Sequence, residues 1–308
     1  MIRTENLTKR FEQIVAVKDL TLSVREGTIF GLVGPNGAGK TTTLAMLATL
    51  LRPSAGRAIV GGYDVATQPD RVRRIVGFNP DSFGFADDLK VTEYLDFYGA
   101  CYGMGRLERA RRIPDLLERV GLADKADAYV DSLSRGMKQR LGLARCLLHD
   151  PAVLILDEPA SGLDPGTRVQ FRAMLKALRD EGKTILISSH ILPELADLCD
   201  EVGIMVGGTL VAAGSVAEIL ARISGERLLH IEVLENAEGA AAWLAERDGI
   251  SRVKREGRQL AVAFVGGEAD QAALLQAMVA EGFRVLRFQP AARTLEDVFL
   301  SVTGEGNG

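Results

Sequence analysis

The 308-residue chain has no apolar run approaching the 18 or more residues that a spanning helix requires, so it is expected not to cross a membrane itself. Its opening segment, MIRTENLTKRF, lacks the apolar core of a secretory signal, and the expected location is therefore the cytoplasm. Cysteine is scarce: Cys101, Cys146 and Cys199 lie far apart and include no CxxC pair, which predicts three buried free thiols rather than disulfides or a zinc site. His149, His190 and His230 have no metal-ligand spacing. Charge of one sign is also lacking, because 41 acidic and 37 basic residues leave only −4, which gives no support for a general nucleic-acid binder. With 47% hydrophobic residues, that small net charge excludes disorder of the whole chain. Aromatics are few, at 6%. Glycine is in excess: 33 residues against an average share of about 7%. Such an excess means flexible linkers, many turns, or loops in which backbone must approach a ligand.

Hydrophobic periodicity organises the chain into two domains. The first twenty-five residues alternate apolar and polar positions, as antiparallel strands do. The apolar strand Thr28 to Val33, a glycine-rich loop and a helix from Lys40 to Leu51 come next. Between Thr92 and Leu148 the pattern is helical throughout, and Glu108-Arg109 and Arg111-Arg112 read as a solvated face. Strand and helix then alternate through VLILD, Arg168 to Asp180, TILISS, Leu192 to Cys199 and EVGIMV, implying a mostly parallel sheet covered by helices. A break falls at Ser224-Gly225-Glu226. Beyond it the order is β-α-β-β-α-β: LLHIEVL, a helix Ala237 to Arg247, strands around SRVKR and LAVAFV, a helix Ala269 to Glu281, and FRVLRF. That order is a split-βαβ, ferredoxin-like layout, in which His230 and Trp243 read as core. A short helix Leu295 to Val302 precedes a glycine-rich tail. The expected division is 1–222, 226–303 and a flexible 304–308.

Gly34-Pro35-Asn36-Gly37-Ala38-Gly39-Lys40-Thr41 fits the phosphate-loop pattern G-x-x-x-x-G-K-[ST]. Its glycines let successive backbone N–H groups turn toward phosphate oxygens, where a Cβ would obstruct. The helix that starts near Lys40 adds the positive end of its dipole. Lys40 brings a cation to the β- and γ-phosphates, the Thr41 hydroxyl suits Mg²⁺, and Thr42 completes the expected nucleotide-binding set. A strand precedes this loop and a helix succeeds it, as phosphate binding requires. The second element, Val153 to Glu158, is an apolar strand ending in two carboxylates. Asp157 would hold Mg²⁺ through water, and Glu158 would serve as general base or water-positioning group.

In these residues the chain resembles, over 1 to about 220, the ATP-binding subunit of ATP-binding cassette (ABC) transporters. Leu133-Ser134-Arg135-Gly136-Met137-Lys138-Gln139-Arg140 is similar to that family's signature motif, and Ser161-Gly162-Leu163-Asp164 to its D-loop. His190 matches its switch histidine, and Phe11 the aromatic residue that stacks on adenine. The resemblance implies a P-loop ABC domain, with a mixed-sheet core, an antiparallel β-subdomain and a helical subdomain, followed by the small α+β domain. It also implies ATP and Mg²⁺ as ligands and two such domains head to tail, as homodimer or heterodimer. Each ATP would then lie between one phosphate loop and the partner's signature, met by Ser134 and Gly136. His190 would orient the attacking water or γ-phosphate, and Asp164 would couple the two sites.

Two regions depart from the family pattern. Asp81 stands where the family usually has Gln, and either touches Mg²⁺ through water or shapes a loop at the permease interface. Arg135 and Met137 replace Gly and Gln; Arg135 faces either a partner's nucleotide or acids of its own surface. For the process that the ATPase drives, three readings stand. One is the motor of a permease on another chain, held at the cytoplasmic face of the membrane, with Phe83 and Phe85 at the start of the loop Asp81 to Leu89 either receiving a permease helix or packing into the helical subdomain. Another is a soluble ATPase acting on ribosome or DNA, against which stand a single cassette and no heptad run. The third is an ATPase regulated by a ligand-sensing C-terminal domain. Arg293-Thr294-Leu295-Glu296-Asp297-Val298-Phe299-Leu300 resembles the end of ABC-2 type export subunits, which favours the first, without nucleic acid as partner.

Overall fold

The computed structural model describes residues 1–81, 88–190, 195, 197–216, 218–219 and 227–290. The chain divides into two units, Met1–Val216 and Ala217–Gly308. The break expected at 224–226, half of the helix expected over 192–199, Phe83, Phe85 and the closing 293–308 segment lie outside the described residues.

The first unit opens with an antiparallel sheet of β1 (Ile2–Phe11), β2 (Ile14–Val24), β4 (Ala55–Val60) and β5 (Tyr63–Asp64), in the order β2-β1-β4-β5. Regular alternation buries Ile2 and Thr4, and breaks only beyond them, where β1 bulges before Leu7. The Thr4 hydroxyl donates to the Leu20 carbonyl and accepts from the Leu22 N–H, so this buried polar side chain is satisfied. The second sheet runs β10-β9-β3-β8-β7-β6, from β3 (Ile29–Val33), β6 (Val76–Asn79), β7 (Val153–Leu156), β8 (Thr184–Ser189), β9 (Glu201–Val206) and β10 (Thr209–Ser215). Only the β9–β10 pair is antiparallel; the rest of the ladder is parallel. Strands β3, β7 and β8 are buried along their whole length, as continuous apolar runs in a doubly covered sheet must be. One core joins the two sheets through α1 (Lys40–Leu47), packing Ile2, Leu7 and Leu20 with Phe30, Leu44, Ile155 and Leu186.

The stretch that reads as helical throughout is three helices with irregular joints: α3 (Val91–Cys101), α4 (Arg106–Arg119) and α5 (Arg135–Leu147), preceded in the chain by α2 (Pro69–Ile75). Gly103 and Gly121, both at positive φ, interrupt it. The charged run on α4 is only partly a solvated face: Arg109 forks onto Asp96 of α3, and Arg112 donates to the Leu147 and Leu148 carbonyls at the end of α5. Helix α1 stops at Leu47 rather than Leu51, with Thr49 in the left-handed region. Helix α6 spans Pro165–Asp180, three residues longer at its start than the periodicity predicts, because Pro165 at N1 and Asp164 as N-cap begin it. Among the described residues no helix is long and apolar enough to cross a membrane.

The second unit alternates β11 (Arg227–Val233), α7 (Ala237–Ala245), β12 (Ile250–Glu256), β13 (Gln259–Phe264), α8 (Glu268–Ala280) and β14 (Val285–Pro290). Its sheet is antiparallel in the order β12-β13-β11-β14, the arrangement of a ferredoxin-like domain, with a core of Leu229, Ile231, Leu244, Val262 and Met278. His230 is not core: the two-residue period that buries Leu229 and Ile231 turns it outward. Trp243 is half-buried, edge-on to Phe283 with the Arg247 guanidinium over its ring. The thiols also divide. Cys146 and Cys199 are buried, and burial pushes the Cys146 thiol up to about 11, whereas Cys101 at the end of α3 is exposed.

His149, just after α5, stacks on Tyr102 with centroids 3.9 Å apart, and its Nε2 donates to the Val76 carbonyl. Its buried Nδ1 has no hydrogen-bond partner among the described residues. Protonating Nδ1 would strand a charged donor, and burial accordingly holds this imidazole below its ordinary value; the Val76 carbonyl and Asp150 oppose, while Lys183 and Arg112 act in the same direction as burial. The unfolded chain therefore takes up this proton first as pH falls below about 6.5, so this residue's share of stability is complete above that value and is lost below it. Urea midpoints of the parent should fall more steeply between pH 7.5 and 5.5 than those of His149→Gln; parallel profiles would contradict the assignment.

Candidate functional site

The carboxyl ends of β3, β6, β7 and β8 finish side by side, as the parallel ladder dictates, and the segments leaving these strands meet at one edge of the sheet. Open α/β sheets bind ligands at such an edge. A cleft of about 540 Å³ lies there, within the ordinary range for small-molecule sites. Asn36 to Thr42 form one wall, Asp81, Glu158 and His190 face them, and Phe11 lines the cleft together with Ser161 of the Ser161–Asp164 segment and Ala16, a residue that no sequence motif marks.

The loop's shape explains its glycines. Gly39 sits at φ 97 and a Cβ there would lie 2.4 Å from the Ala16 carbonyl, so only glycine fits between β2 and the start of α1. Lys40 is 95% buried, and its Nζ donates to the Gly34 carbonyl at 2.7 Å and the Pro35 carbonyl at 3.2 Å. It also pairs with Glu158 Oε1 at 3.4 Å. The other Glu158 oxygen accepts from His190 Nδ1 at 2.8 Å, which fixes the proton of the neutral ring on Nδ1 and leaves Nε2 with its lone pair. A continuous line of Lys40, Glu158 and His190 thus crosses the cleft.

Glu158 itself has φ 47, a left-handed conformation uncommon outside glycine. Ser188 holds it there: its hydroxyl accepts from the Glu158 N–H at 2.9 Å and donates to Asp157 Oδ1 at 2.5 Å. Asp157 is buried, and burial raises its carboxyl above the ordinary range. The Ser188 and Thr41 hydroxyls pull it back, while the neighbouring Glu158 and Asp81 carboxylates raise it further. Among the described residues no three His, Cys, Asp or Glu side chains form a self-sufficient metal cage. The Asp157 carboxylate, the Thr41 hydroxyl and the nearby Asp81 nonetheless make an oxygen donor set. That set fits Mg²⁺, which keeps several waters and needs only one or two protein ligands.

Ser134, Gly136 and Asp164 do not line this cleft. Ser134 caps α5 by accepting from the Met137 N–H, and Asp164 caps α6 by accepting from the Thr167 N–H and hydroxyl. Gly136 packs on the first turn of α6, where a Cβ would lie 2.9 Å from Thr167 Cγ2. A polar strut, of which only Gln139 falls in a motif read from the sequence, ties α5 and α3 to β6. Buried Arg145 donates to the Tyr94 hydroxyl, the Phe78 carbonyl and Asn79 Oδ1. Asn79 in turn donates to Gln139 and, through its carbonyl, receives the Asp157 N–H.

Fold and loop together define a phosphate-loop nucleotide-binding domain. The family model described as ABC transporter matches residues 17–161, and one described as the C-terminal domain of DrrA1-3-like ATP-binding proteins matches residues 214–303. The linearmycin resistance ATP-binding protein LnrL of Bacillus subtilis is 30% identical over 99% of this chain and 98% of its own length. The Nod factor export ATP-binding protein I of Ralstonia nicotianae is 37% identical over 99% of this chain and 94% of its own. Among solved structures, an ATP-binding subunit of an ABC transporter superposes with TM-score 0.66 at 29% identity, over 72% of this chain and 92% of that one. A dimeric cassette in a post-hydrolysis state with ADP and Pi does so with TM-score 0.64 at 25% identity, over 70% and 98%. The chain belongs to the ABC transporter ATP-binding proteins, a nucleotide-binding ATPase family.

Ser188→Ala removes both the acceptor of the Glu158 N–H and the donor to Asp157. Stability measured by urea unfolding should drop by about 1–3 kcal/mol; an unchanged midpoint would mean that Ser188 does not hold this corner.

Proposed function

We propose that this chain binds ATP with Mg²⁺, hydrolyses it, and drives a permease carried on a separate membrane chain in the direction of export. The observation that carries the reading is the Lys40–Glu158–His190 line across the cleft. One buried cation there serves either the carboxylate or an incoming triphosphate. When phosphate oxygens compete for Lys40, Glu158 is released from its ion pair and can accept a proton from water. The His190 ring, held by that same carboxylate, is in place to orient the water or the γ-phosphate. The N–H groups of the loop and the start of α1 receive the phosphates, and Phe11, 42% exposed at the rim, offers a ring face to the base. Bound Mg²⁺ would neutralise phosphate charge beside Thr41, Asp157 and Asp81.

Ser134 and Gly136 stand at the N-terminus of α5, outside their own cleft. They suit a γ-phosphate held by a second copy or a related cassette, and this arrangement makes ATP the bridge of a dimer whose hydrolysis releases it. The dimeric cassette among the structural neighbours and the export named for the Nod factor relative support this reading. So does the match of 214–303 to the DrrA-like C-terminal domain. The working place would be the cytoplasmic face of the membrane, peripherally, on the permease.

Glu158→Gln should keep ATP binding, lower turnover by about 10²–10⁴-fold, and accumulate an ATP-bound dimer on size exclusion. Lys40→Ala should instead lose ATP affinity by more than about tenfold in a nucleotide titration. Equal turnover in the Glu158 variant would remove it from the chemistry. Purification of the tagged chain from solubilised membranes should bring down one integral-membrane protein in stoichiometric amount. Recovery with ribosomes or DNA and no membrane partner would overturn the transporter reading.

A further inference from the structure

Arg135 occupies an electrostatically poor position. It is the first residue of α5, where the helix dipole disfavours a cation, and no acidic residue stands in that turn to offset it. Its side chain crosses to the Ser161–Asp164 segment of the same chain. Gly162 has φ 69, and a Cβ built there would lie 2.6 Å from Arg135 Cζ and Nη1 and 2.8 Å from Nε. The guanidinium therefore fills the space that any side chain at 162 would take. Its Nη2 also reaches the Ser161 Oγ at 3.5 Å. Ser161 is a wall of the nucleotide cleft.

The segment it presses on is a pair of tight turns. The Ser161 N–H closes a turn onto the Glu158 carbonyl at 3.0 Å, the Leu163 N–H closes a second onto Ala160 at 3.3 Å, and Asp164 caps α6. Glu158 lies at the head of these turns, and the guanidinium rests on their middle. Next to it, Gly136 packs on Thr167 without room for a Cβ, so the first turns of α5 and α6 are in direct contact beside the clasp.

We propose that Arg135 is a positioning residue for hydrolysis: it clamps the Ser161–Gly162 turn against the start of α5 and so holds the wall of this chain's own cleft and the backbone of Glu158. The clamp ties the segment that carries Ser134 and Gly136 to the cleft of the same chain. Among the described residues Arg135 makes no ion pair with acids of its own surface; its contact is with the Ser161–Gly162 turn. The proposal rests on the ATPase reading for its kinetic consequence but not for its structural one, and the two are tested separately.

Hydrogen exchange of the full-length chain, read at the Ser161 and Leu163 amides, needs no catalysis. Arg135→Ala should speed exchange there by about three- to tenfold, the worth of one or two weak polar contacts, and leave the strand amides of β7 and β8 unchanged. In steady-state ATP hydrolysis the same variant should lower kcat by a similar factor with less than about a twofold change in ATP affinity, and Arg135→Lys should recover only part of it. Arg135→Ala combined with Ser161→Ala should be no slower than the worse single variant. Unchanged exchange at Ser161 and Leu163, or kcat losses that simply add, would overturn the clamp. Absence of any ATP turnover in the parent chain with its permease would instead overturn the ATPase reading, leaving the exchange result to judge the clamp.

Discussion

The structure turns on the burial of a single ammonium group. Lys40 lies under the phosphate loop, and a cation so deeply desolvated is tolerable only with close partners. Two carbonyls of its own loop and one oxygen of Glu158 provide them. That requirement dictates much else: the loop must curl back so that Gly34 and Pro35 face inward, Gly39 must take a conformation closed to other residues, and β7 must deliver a carboxylate opposite β3. The strand order β3-β8-β7 does the last of these, with β8 between them supplying Ser188 and leading into His190.

The candidate site was legible in the sequence where it depends on local spacing. Gly34 to Thr41, Asp157-Glu158 and His190 each come directly after an apolar strand, so their meeting at one sheet edge is a consequence of the parallel pattern. The features that escaped the sequence depend on long-range pairing. Strands β4, β5, β6 and β10 are short or flanked by polar residues, and their partners, not their own periodicity, make them strands. Ser188 looks like the fading end of TILISS, yet it joins the Glu158 N–H to Asp157; a hydroxyl residue directly at the end of a buried apolar run, two positions before the histidine, was the signal to read. Cys101 and His230 were misjudged for opposite reasons. The free-thiol tendency to burial ignores which helix face a cysteine occupies, and the strand period alone would have turned His230 outward.

The strut built on Arg145 explains how the helical part of the first unit is held to the sheet without an apolar seam alone. Arg145, Asn79, Gln139 and Tyr94 come from α5, β6, α5 and α3, and Asn79 also receives the Asp157 N–H. Buried hydrogen-bond networks specify one arrangement more sharply than apolar contacts, because a shifted register leaves groups unpaired. Two polar connections therefore run from α5 to the Asp157–Glu158 corner: this strut at depth, and the Arg135 contact at the surface.

The left-handed backbone at Glu158 has a consequence for how this site can change over generations. That conformation costs most residues about 1–2 kcal/mol, with Gly, Asn and Asp largely exempt. Replacements at 158 are therefore filtered by backbone before chemistry is judged. A lineage released from the need for turnover would drift there toward Asp, Asn or Gly, and seldom toward Val or Thr, whose branched side chains are worst suited to it. The imprint of a lost activity in such descendants would be a small polar residue or a glycine at this position, still folded around an intact phosphate loop.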